Sequence, residues 1–168
     1  MNQGGIKMAD MLVDLYEIDN FGNAEAKLRQ EGITIKKALA PDRSKVIEFA
    51  KHCAKDDYSD EVHAAFSNNP VTCYVAVKGR QLVGFACYEA TAKDFFGPMA
   101  VVETERNKGI GKCLLLKSLE SMKEMGYAYA VIGWPTKKAI PFYEKCVNAI
   151  LINGNSMGIY KRMIEIDD

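Results

Sequence analysis

The chain has 168 residues, of which 48% are hydrophobic and 26% charged, and its 22 basic side chains balance its 22 acidic ones. This composition is typical of one globular domain, because a chain of this length buries roughly 68–70% of its unfolded surface without metal or disulfide support. The formal net charge of zero argues against nucleic acid as the main ligand, since nucleic-acid-binding domains carry clustered excess lysine and arginine.

The sequence also predicts the compartment. No stretch approaches the roughly 20 consecutive apolar residues of a membrane helix, and the first residues lack the basic and apolar regions of a secretory signal. The five cysteines are odd in number and show no C-x-x-C spacing, so we expect neither a disulfide framework nor a metal site. These features predict a cytoplasmic protein without a membrane partner.

Residues 1–32 are predicted to form an N-terminal extension, a strand followed by a linker, and residues 33–168 a single domain. Apolar and polar residues alternate from Met11 to Ile18, which indicates a strand, and a polar helix over Asn23–Glu31 ends at Gly32. This strand could pair with a second subunit or cover its own sheet, so both a monomer and a homodimer are open.

The next elements are two helices and a hairpin. β-Branched residues over Ile33–Leu39 indicate a strand, and Pro41 then opens an amphipathic helix. The remaining predictions are a helix over Ser59–Phe66 and two hairpin strands, Val71–Val77 and Leu82–Glu89.

A strand-helix-strand unit follows. Residues Phe95–Val102 are predicted to form a strand, in which Gly97-Pro98 indicates a bulge or an edge feature. The strongest predicted helix is Gly109–Met125, ended by Gly126. Tyr127–Trp134 is almost continuously apolar, as in a strand covered on both faces, which predicts parallel pairing through a helical crossover.

The C-terminal part is predicted to contain one helix and two strands. Pro141 suits the first turn of a short helix, and Asn148 suits its left-handed closing position. Strands over Ala149–Ile152 and Ile159–Ile164 would then flank a turn at 153–156.

The segment that points to chemistry is Arg106-Asn107-Lys108-Gly109-Ile110-Gly111-Lys112. Two glycines at a helix N-terminus let the backbone approach a ligand, and the free N–H groups attract an anion, so we interpret it as a phosphate or pyrophosphate site. Alternatively, the glycines only allow a tight turn. A Walker A loop is excluded because Cys113 follows Lys112, and a Rossmann fingerprint because the third small residue is missing.

The R-x-x-G-x-G pattern of Arg106–Gly111, with a strand before it and a leucine-rich helix after it, resembles the acyl-CoA-binding motif of the GNAT acetyltransferase superfamily. Ala139–Lys145 resembles the FYEK helix of that family, and the predicted elements from about Ile33 to Ile164 follow its order. The resemblance implies an α/β (α+β in some schemes) fold. It consists of a mixed, mostly antiparallel sheet, a parallel βαβ pair at the acyl-CoA cleft, and flanking helices.

The resemblance also implies acetyl-CoA as co-substrate, without a metal. The glycine turn would hold the pyrophosphate, and the preceding strand would pair with the pantetheine arm through its backbone. The residues carried over for this role are Met99, Ala100, Val101, Arg106, Asn107, Lys108, Gly109, Ile110, Gly111 and Lys112.

Tyr143 matches the tyrosine that, in many family members, donates a proton to the departing CoA thiolate. No unique general base is visible, and the candidates are Glu89, Asp94, Glu103 or a water network. The expected function is N-acetyl transfer to a primary amine of a small-molecule or peptide acceptor by direct attack. The missing base motivates the alternative, a non-catalytic acyl-CoA-binding or sensing module.

Several aromatic and polar side chains have two interpretations. Trp134, Tyr58, Phe66 and Tyr160 could line an acceptor pocket or belong to the core, and Thr136 could bind cofactor or cap a helix.

Overall fold

A computed structural model describes residues 9–18, 22–152 and 157–166. Within these residues one sheet has seven strands: β1 (Met11–Asp14), β2 (Ile33–Lys37), β3 (Cys73–Lys78), β4 (Gln81–Tyr88), β5 (Phe95–Val101), β6 (Tyr129–Ile132) and β7 (Ile150–Leu151). The α-helices are α1 (Gly22–Gln30), α2 (Arg43–His52), α3 (Ser59–Ser67), α4 (Ile110–Glu124) and α5 (Ile140–Val147).

The strand order in the sheet is β2-β3-β4-β5-β6-β1-β7. Every neighbouring pair is antiparallel except β5 and β6, which run parallel with Phe95 opposite Val131 and Phe96 opposite Ile132. Helix α4 connects the parallel pair, as the period change in the sequence predicts. The mixed, mostly antiparallel fold with one βαβ unit is therefore confirmed.

The N-terminal strand is built into the protein's own sheet. β1 lies between β6 and β7, where Met11 is opposite Ile132 on one side and Leu151 on the other. Met11 and Val13 are fully buried while Asp14 is exposed, so the alternation marks a strand with one face on the core.

The prediction of a strand over Ile159–Ile164 is wrong. Residues Gly158–Arg162 form a 3-10 helix instead, and the predicted turn at 153–156 lies outside the described residues. The position beside β6 that could take another antiparallel strand is filled by β1. The ring of Tyr160 packs on Trp134 instead, with ring centroids 4.1 Å apart.

Helices cover the two faces of the sheet and create two cores. The first core joins α4 and α1 to one face and contains Leu114, Leu119 and Leu28. The second joins α2 and α3 to the other face around Phe85. None of the helices in the described ranges has the length and apolar character needed to cross a membrane.

A β-bulge lies in β5, as the sequence predicts. Ala86 is opposite Met99 and Tyr88 is opposite Phe96, so Cys87 alone faces both Gly97 and Pro98. Gly97 has a φ of 114°, which a residue with a side chain rarely adopts. The bulge begins at Gly97, directly after Phe96, the last residue of β5 that pairs with β6.

Candidate active site

A cavity of about 630 Å³ lies between the C-terminal half of β5, the N-terminus of α4 and the start of α5. It brings together Tyr143 and every predicted cofactor residue except Lys108. The lining also includes residues that sequence reasoning did not assign to the site. The full lining is Ala54, Met99, Ala100, Val101, Glu105, Arg106, Asn107, Gly109, Ile110, Gly111, Lys112, Thr136, Lys138, Ala139, Phe142 and Tyr143.

One wall of this cavity is an open strand edge. β5 pairs with β6 only at Phe95 and Phe96, although it continues to Val101. Beyond Phe96, no other described strand pairs with β5 on the β6 side, and Met99–Val101 are half-buried. An extended chain that carries amide groups can therefore pair with this edge as an added strand does.

The glycine turn forms the second wall. Asn107 and Gly109 both adopt left-handed backbone conformations, with φ values of 63° and 91°. The amide of Cys113 bonds the carbonyl of Gly109 at 3.0 Å, which leaves the amides of the preceding turn without an intrahelical acceptor. These N–H groups and the positive end of α4 suit a phosphate.

Basic side chains frame this turn. Arg106 Nε donates a hydrogen bond of 3.0 Å to the carbonyl of Val101, which fixes the guanidinium at the end of β5. Lys112 and Lys138 also line the cavity. Three cationic side chains therefore surround a cavity floored by backbone N–H groups, and this charge is complementary to a pyrophosphate.

The side chain of Lys108 pairs with Glu105. Its Nζ lies 2.7 Å from Oε2 of Glu105, while Lys78 lies 2.8 Å from Oε1 of the same carboxylate. These hydrogen bonds hold the pKa of Glu105 below its ordinary value and keep its negative charge balanced at the cavity edge. The side chain of Lys108 thus neutralises Glu105 and does not line the cavity.

Tyr143 lies at the inner end of the cavity. Its ring is buried against Phe96 and Phe142, at centroid distances of 6.2 and 5.1 Å. Burial raises the pKa of Tyr143 well above that of a free phenol, so the hydroxyl is protonated at neutral pH and can donate. The Thr136 carbonyl accepts from the amide of Ala139 at 2.8 Å, which shapes the turn before α5.

The three predicted general bases do not line the cavity. Oε1 of Glu89 accepts a hydrogen bond of 2.6 Å from the amide of Asp94, and Oε2 lies 3.0 Å from Nζ of Lys93. Glu89 lines a different cavity of about 300 Å³, and Glu103 lies in an exposed turn after β5. Glu89 and Asp94 therefore close the β4–β5 connection.

The ambiguous aromatic residues separate into two groups. Phe66 is buried in the core beneath α3, whereas Trp134 and Tyr160 stack on each other beside the fork of β5 and β6. Tyr58 is half-buried and packs edge-on against Phe85 at 6.4 Å.

Sequence reasoning missed Ala54 and Lys138, which also line the cavity. Neither belongs to a motif, so the sequence pattern alone gave no functional signal for them. Among the described residues, no group of three or more histidine, cysteine, aspartate or glutamate side chains could hold a metal.

Comparison with known families gives a match over most of the chain. The profile of the family described as "Acetyltransferase (GNAT) family" matches residues 24–147. No curated protein matches the sequence significantly.

Comparison with solved structures gives the same fold at low identity. A GCN5-related glucosamine N-acetyltransferase region in a fungal multi-domain β-N-acetylglucosaminidase is 13% identical with a TM-score of 0.69, covering 86% of this chain and 20% of that one. A GCN5-related N-acetyltransferase from Sphaerobacter thermophilus is 14% identical with a TM-score of 0.65, over 86% of this chain and 48% of that one.

A smaller relative is an aminoglycoside acetyltransferase from an uncultured soil metagenomic sample, solved in complex with sisomicin. It is 17% identical with a TM-score of 0.50, over 70% of this chain and 88% of that one. This chain therefore spans most of that protein, but only a fifth to a half of the two larger ones.

Proposed function

Because the chain belongs to the GNAT family of acetyltransferases, we propose that it transfers the acetyl group of acetyl-CoA to a primary amine. The amine nitrogen attacks the thioester directly. The acceptor is a small molecule or a peptide that carries such an amine.

The observation that carries this proposal is the cavity between the open edge of β5 and the N-terminus of α4. Its two walls suit the two ends of an acyl-CoA. The amides at Gly109–Lys112 and the charges of Arg106 and Lys112 suit the pyrophosphate. The backbone of Met99–Val101, which is open on the β6 side, suits the amide-bearing pantetheine arm, and it leads towards Tyr143.

Acetyl-CoA supplies the activated acetyl group as a thioester. In the transfer, a C–N bond forms, the C–S bond breaks, and the electron pair of that bond goes to sulfur. The Tyr143 hydroxyl donates to the sulfur as its negative charge develops, and the proton that the amide nitrogen loses replaces the one donated. The aminoglycoside and glucosamine acetyltransferases among the structural relatives support an amine as the acceptor class.

We further propose that the enzyme works in the cytoplasm and needs neither nucleic acid nor a membrane. The five cysteines are all unpaired in the described residues, which supports a reducing compartment. Because β1 is paired on both sides within its own sheet, the N-terminal strand does not require a second subunit.

Two measurements test the proposal. Calorimetric titration with acetyl-CoA, with ATP and NADH as control ligands, measures cofactor selection. Release of free CoA thiol is then followed with a panel of primary amines: cadaverine, tyramine, L-lysine, glucosamine, kanamycin and a lysine-containing peptide.

Selective acetyl-CoA binding together with amine-dependent thiol release supports an acetyltransferase. Binding without release from any panel amine points to the alternative, an acyl-CoA-binding or sensing module. Absence of acetyl-CoA binding rejects both.

A further inference from the structure

A second cavity has a volume of about 650 Å³ and shares no lining residue with the first. It is bounded by the first turn of α3, the β4–β5 connection and the C-terminal 3-10 helix. Glu61 and Tyr160 both line it, and burial together with the negative charges of Asp10 and Glu61 raises the pKa of Tyr160 to about 12.

Tyr160 connects this cavity to the fork of β5 and β6. A side chain on Gly133, the residue directly after β6, would collide with the Tyr160 hydroxyl and touch the ring of Phe95 at 3.0 Å. Phe95 is the first residue of β5, where the two strands are still paired. Tyr160, which lines the second cavity, therefore lies beside the paired start of β5 and β6, from which the acyl-CoA cleft opens.

Tyr58 connects the cavities from the other side. It lies one turn before Glu61, and its pKa is raised by burial and by the negative charges of Asp56 and Glu61. Tyr58 also interacts electrostatically with Tyr143, the inner end of the acyl-CoA cavity. One tyrosine is thus within electrostatic range of both Glu61 and the proposed proton donor.

The position of Glu61 over the sheet agrees with these contacts. Helix α3, which carries Glu61, packs on β4 in the second core, which includes Cys87. Cys87 is the residue that faces the Gly97-Pro98 bulge, where β5 loses β6 as a partner. Helix α3 therefore covers the part of the sheet next to the start of the open strand edge.

We infer that Glu61 is the general base of the transferase, taking a proton from the ammonium group of the acceptor as the amine enters from the second cavity. This inference rests on the proposed function. Glu61 becomes a neutral carboxylic acid, and the freed nitrogen attacks the acetyl carbon as described above. The carboxylic acid then returns its proton to solvent, so that one ammonium and one thioester give one amide, one thiol and one proton.

Its place in the second cavity distinguishes Glu61 from Asp94, Glu89 and Glu105, none of which lines that cavity. Burial and the like charges of Asp60 and Asp57 raise the pKa of Glu61, and a raised pKa makes a carboxylate a stronger base. Glu89 and Glu105, in contrast, are each held in salt bridges with lysine. The ionisable groups that interact with Glu61 or share its cavity are Asp57, Asp60, Tyr58, Cys87, Tyr160 and Arg162.

The test compares Glu61→Gln with the unaltered protein, using the amine of the panel that gives the highest kcat/KM. We expect kcat/KM of Glu61→Gln to fall by about 100-fold or more. The profile of kcat/KM from pH 5 to 10 should lose the low-pH limb that reports deprotonation of Glu61. Acetyl-CoA affinity and the melting temperature should stay close to those of the unaltered protein.

Two further variants test whether Glu61 acts by taking a proton or only through its packing or its negative charge. Added formate should restore part of the rate of Glu61→Ala, because a small carboxylate can replace the missing base. Asp60→Asn removes a negative charge that raises the pKa of Glu61, so it should move the low-pH limb to lower pH without abolishing it.

Several outcomes would overturn the role of Glu61. One is a Glu61→Gln rate within threefold of the unaltered protein with its low-pH limb intact. Another is an Asp60→Asn profile that loses the limb to the same extent. If the unaltered protein binds acetyl-CoA but acetylates no amine of the panel, the transferase proposal fails first, and the base assignment fails with it.

Discussion

The backbone amide of Asp94 donates a hydrogen bond of 2.6 Å to the carboxylate of Glu89. Both residues have positive φ values, 67° and 56°, and the bond closes the connection between β4 and β5. Burial and the negative charge of Glu89 raise the pKa of Asp94 to about 6. Two residues that the sequence suggested as bases therefore share a structural role.

This pair predicts a pH-dependent stability. A carboxyl group whose pKa is about 6 when folded and near 3.9 when unfolded binds its proton more tightly in the folded state. Its stabilising contribution is complete below about pH 4 and is lost as the pH rises through about 6. Asp94→Asn, which tolerates a left-handed backbone, should reduce the loss of stability between pH 4.5 and 7.5.

Urea unfolding at several pH values measures this effect. Glu120→Gln, on the exposed side of α4, is the control for the change of one charge. An Asp94→Asn protein whose stability falls with pH as steeply as that of the unaltered protein would refute the assignment.

The glycine turn predicts a selective loss of cofactor binding. A side chain at Gly111 would contact the ring of Phe142 at 3.5 Å and Met99 at 3.8 Å, which are ordinary packing distances. Gly111→Ala should therefore fold and bind acetyl-CoA, whereas Gly111→Glu places a carboxylate against the phosphates. We expect the calorimetric Kd of Gly111→Glu to rise by about tenfold or more. Equal affinities in the two variants would argue against a phosphate at this turn.

Removing the Tyr143 hydroxyl should slow the reaction without weakening acetyl-CoA binding. Tyr143→Phe removes the hydroxyl and keeps the ring that packs on Phe96. We expect kcat to fall by about 10- to 100-fold or more, with the Kd for acetyl-CoA unchanged. Tyr129→Phe, at an exposed position on β6, is the matched control and should keep full activity. An undiminished kcat in Tyr143→Phe would assign the proton donation to another group.

Truncation of a buried side chain in the N-terminal strand β1 should cost much of the protein's stability. Met11 is fully buried between β6 and β7, so Met11→Ala should lower the free energy of unfolding by about 2–5 kcal/mol. Leu12 is on the other face of the strand and half-buried, so Leu12→Ala should cost clearly less. Urea denaturation of both variants measures the difference, and equal losses would contradict the one-sided burial of β1.

Local patterns predicted most of this fold. The period of α4, the left-handed Gly126 and Asn148 at helix ends, and the bulge at Gly97 are each decided by a few neighbouring residues. The position of β1 depends on pairing with strands near the other end of the sequence, and alternation alone does not specify a partner.

The acyl-CoA cavity was predictable because its lining is concentrated in two continuous segments, around Met99–Lys112 and around Thr136–Tyr143. The surroundings of Glu61 were not predictable, because the residues around it come from three separate segments: α3, β4 and the C-terminal 3-10 helix. The same holds for Lys108, whose charge is directed to Glu105 by contacts that include Lys78, on a distant strand.

The position of β1 also has a consequence for synthesis on the ribosome. Met11 is made before its partner Ile132, which emerges only after four other strands and four α-helices. Until then the apolar face of this strand has no neighbour, and pairing across so long a separation makes folding slow. The nascent chain should therefore depend on chaperone binding to its N-terminal segment until β6 has left the ribosome.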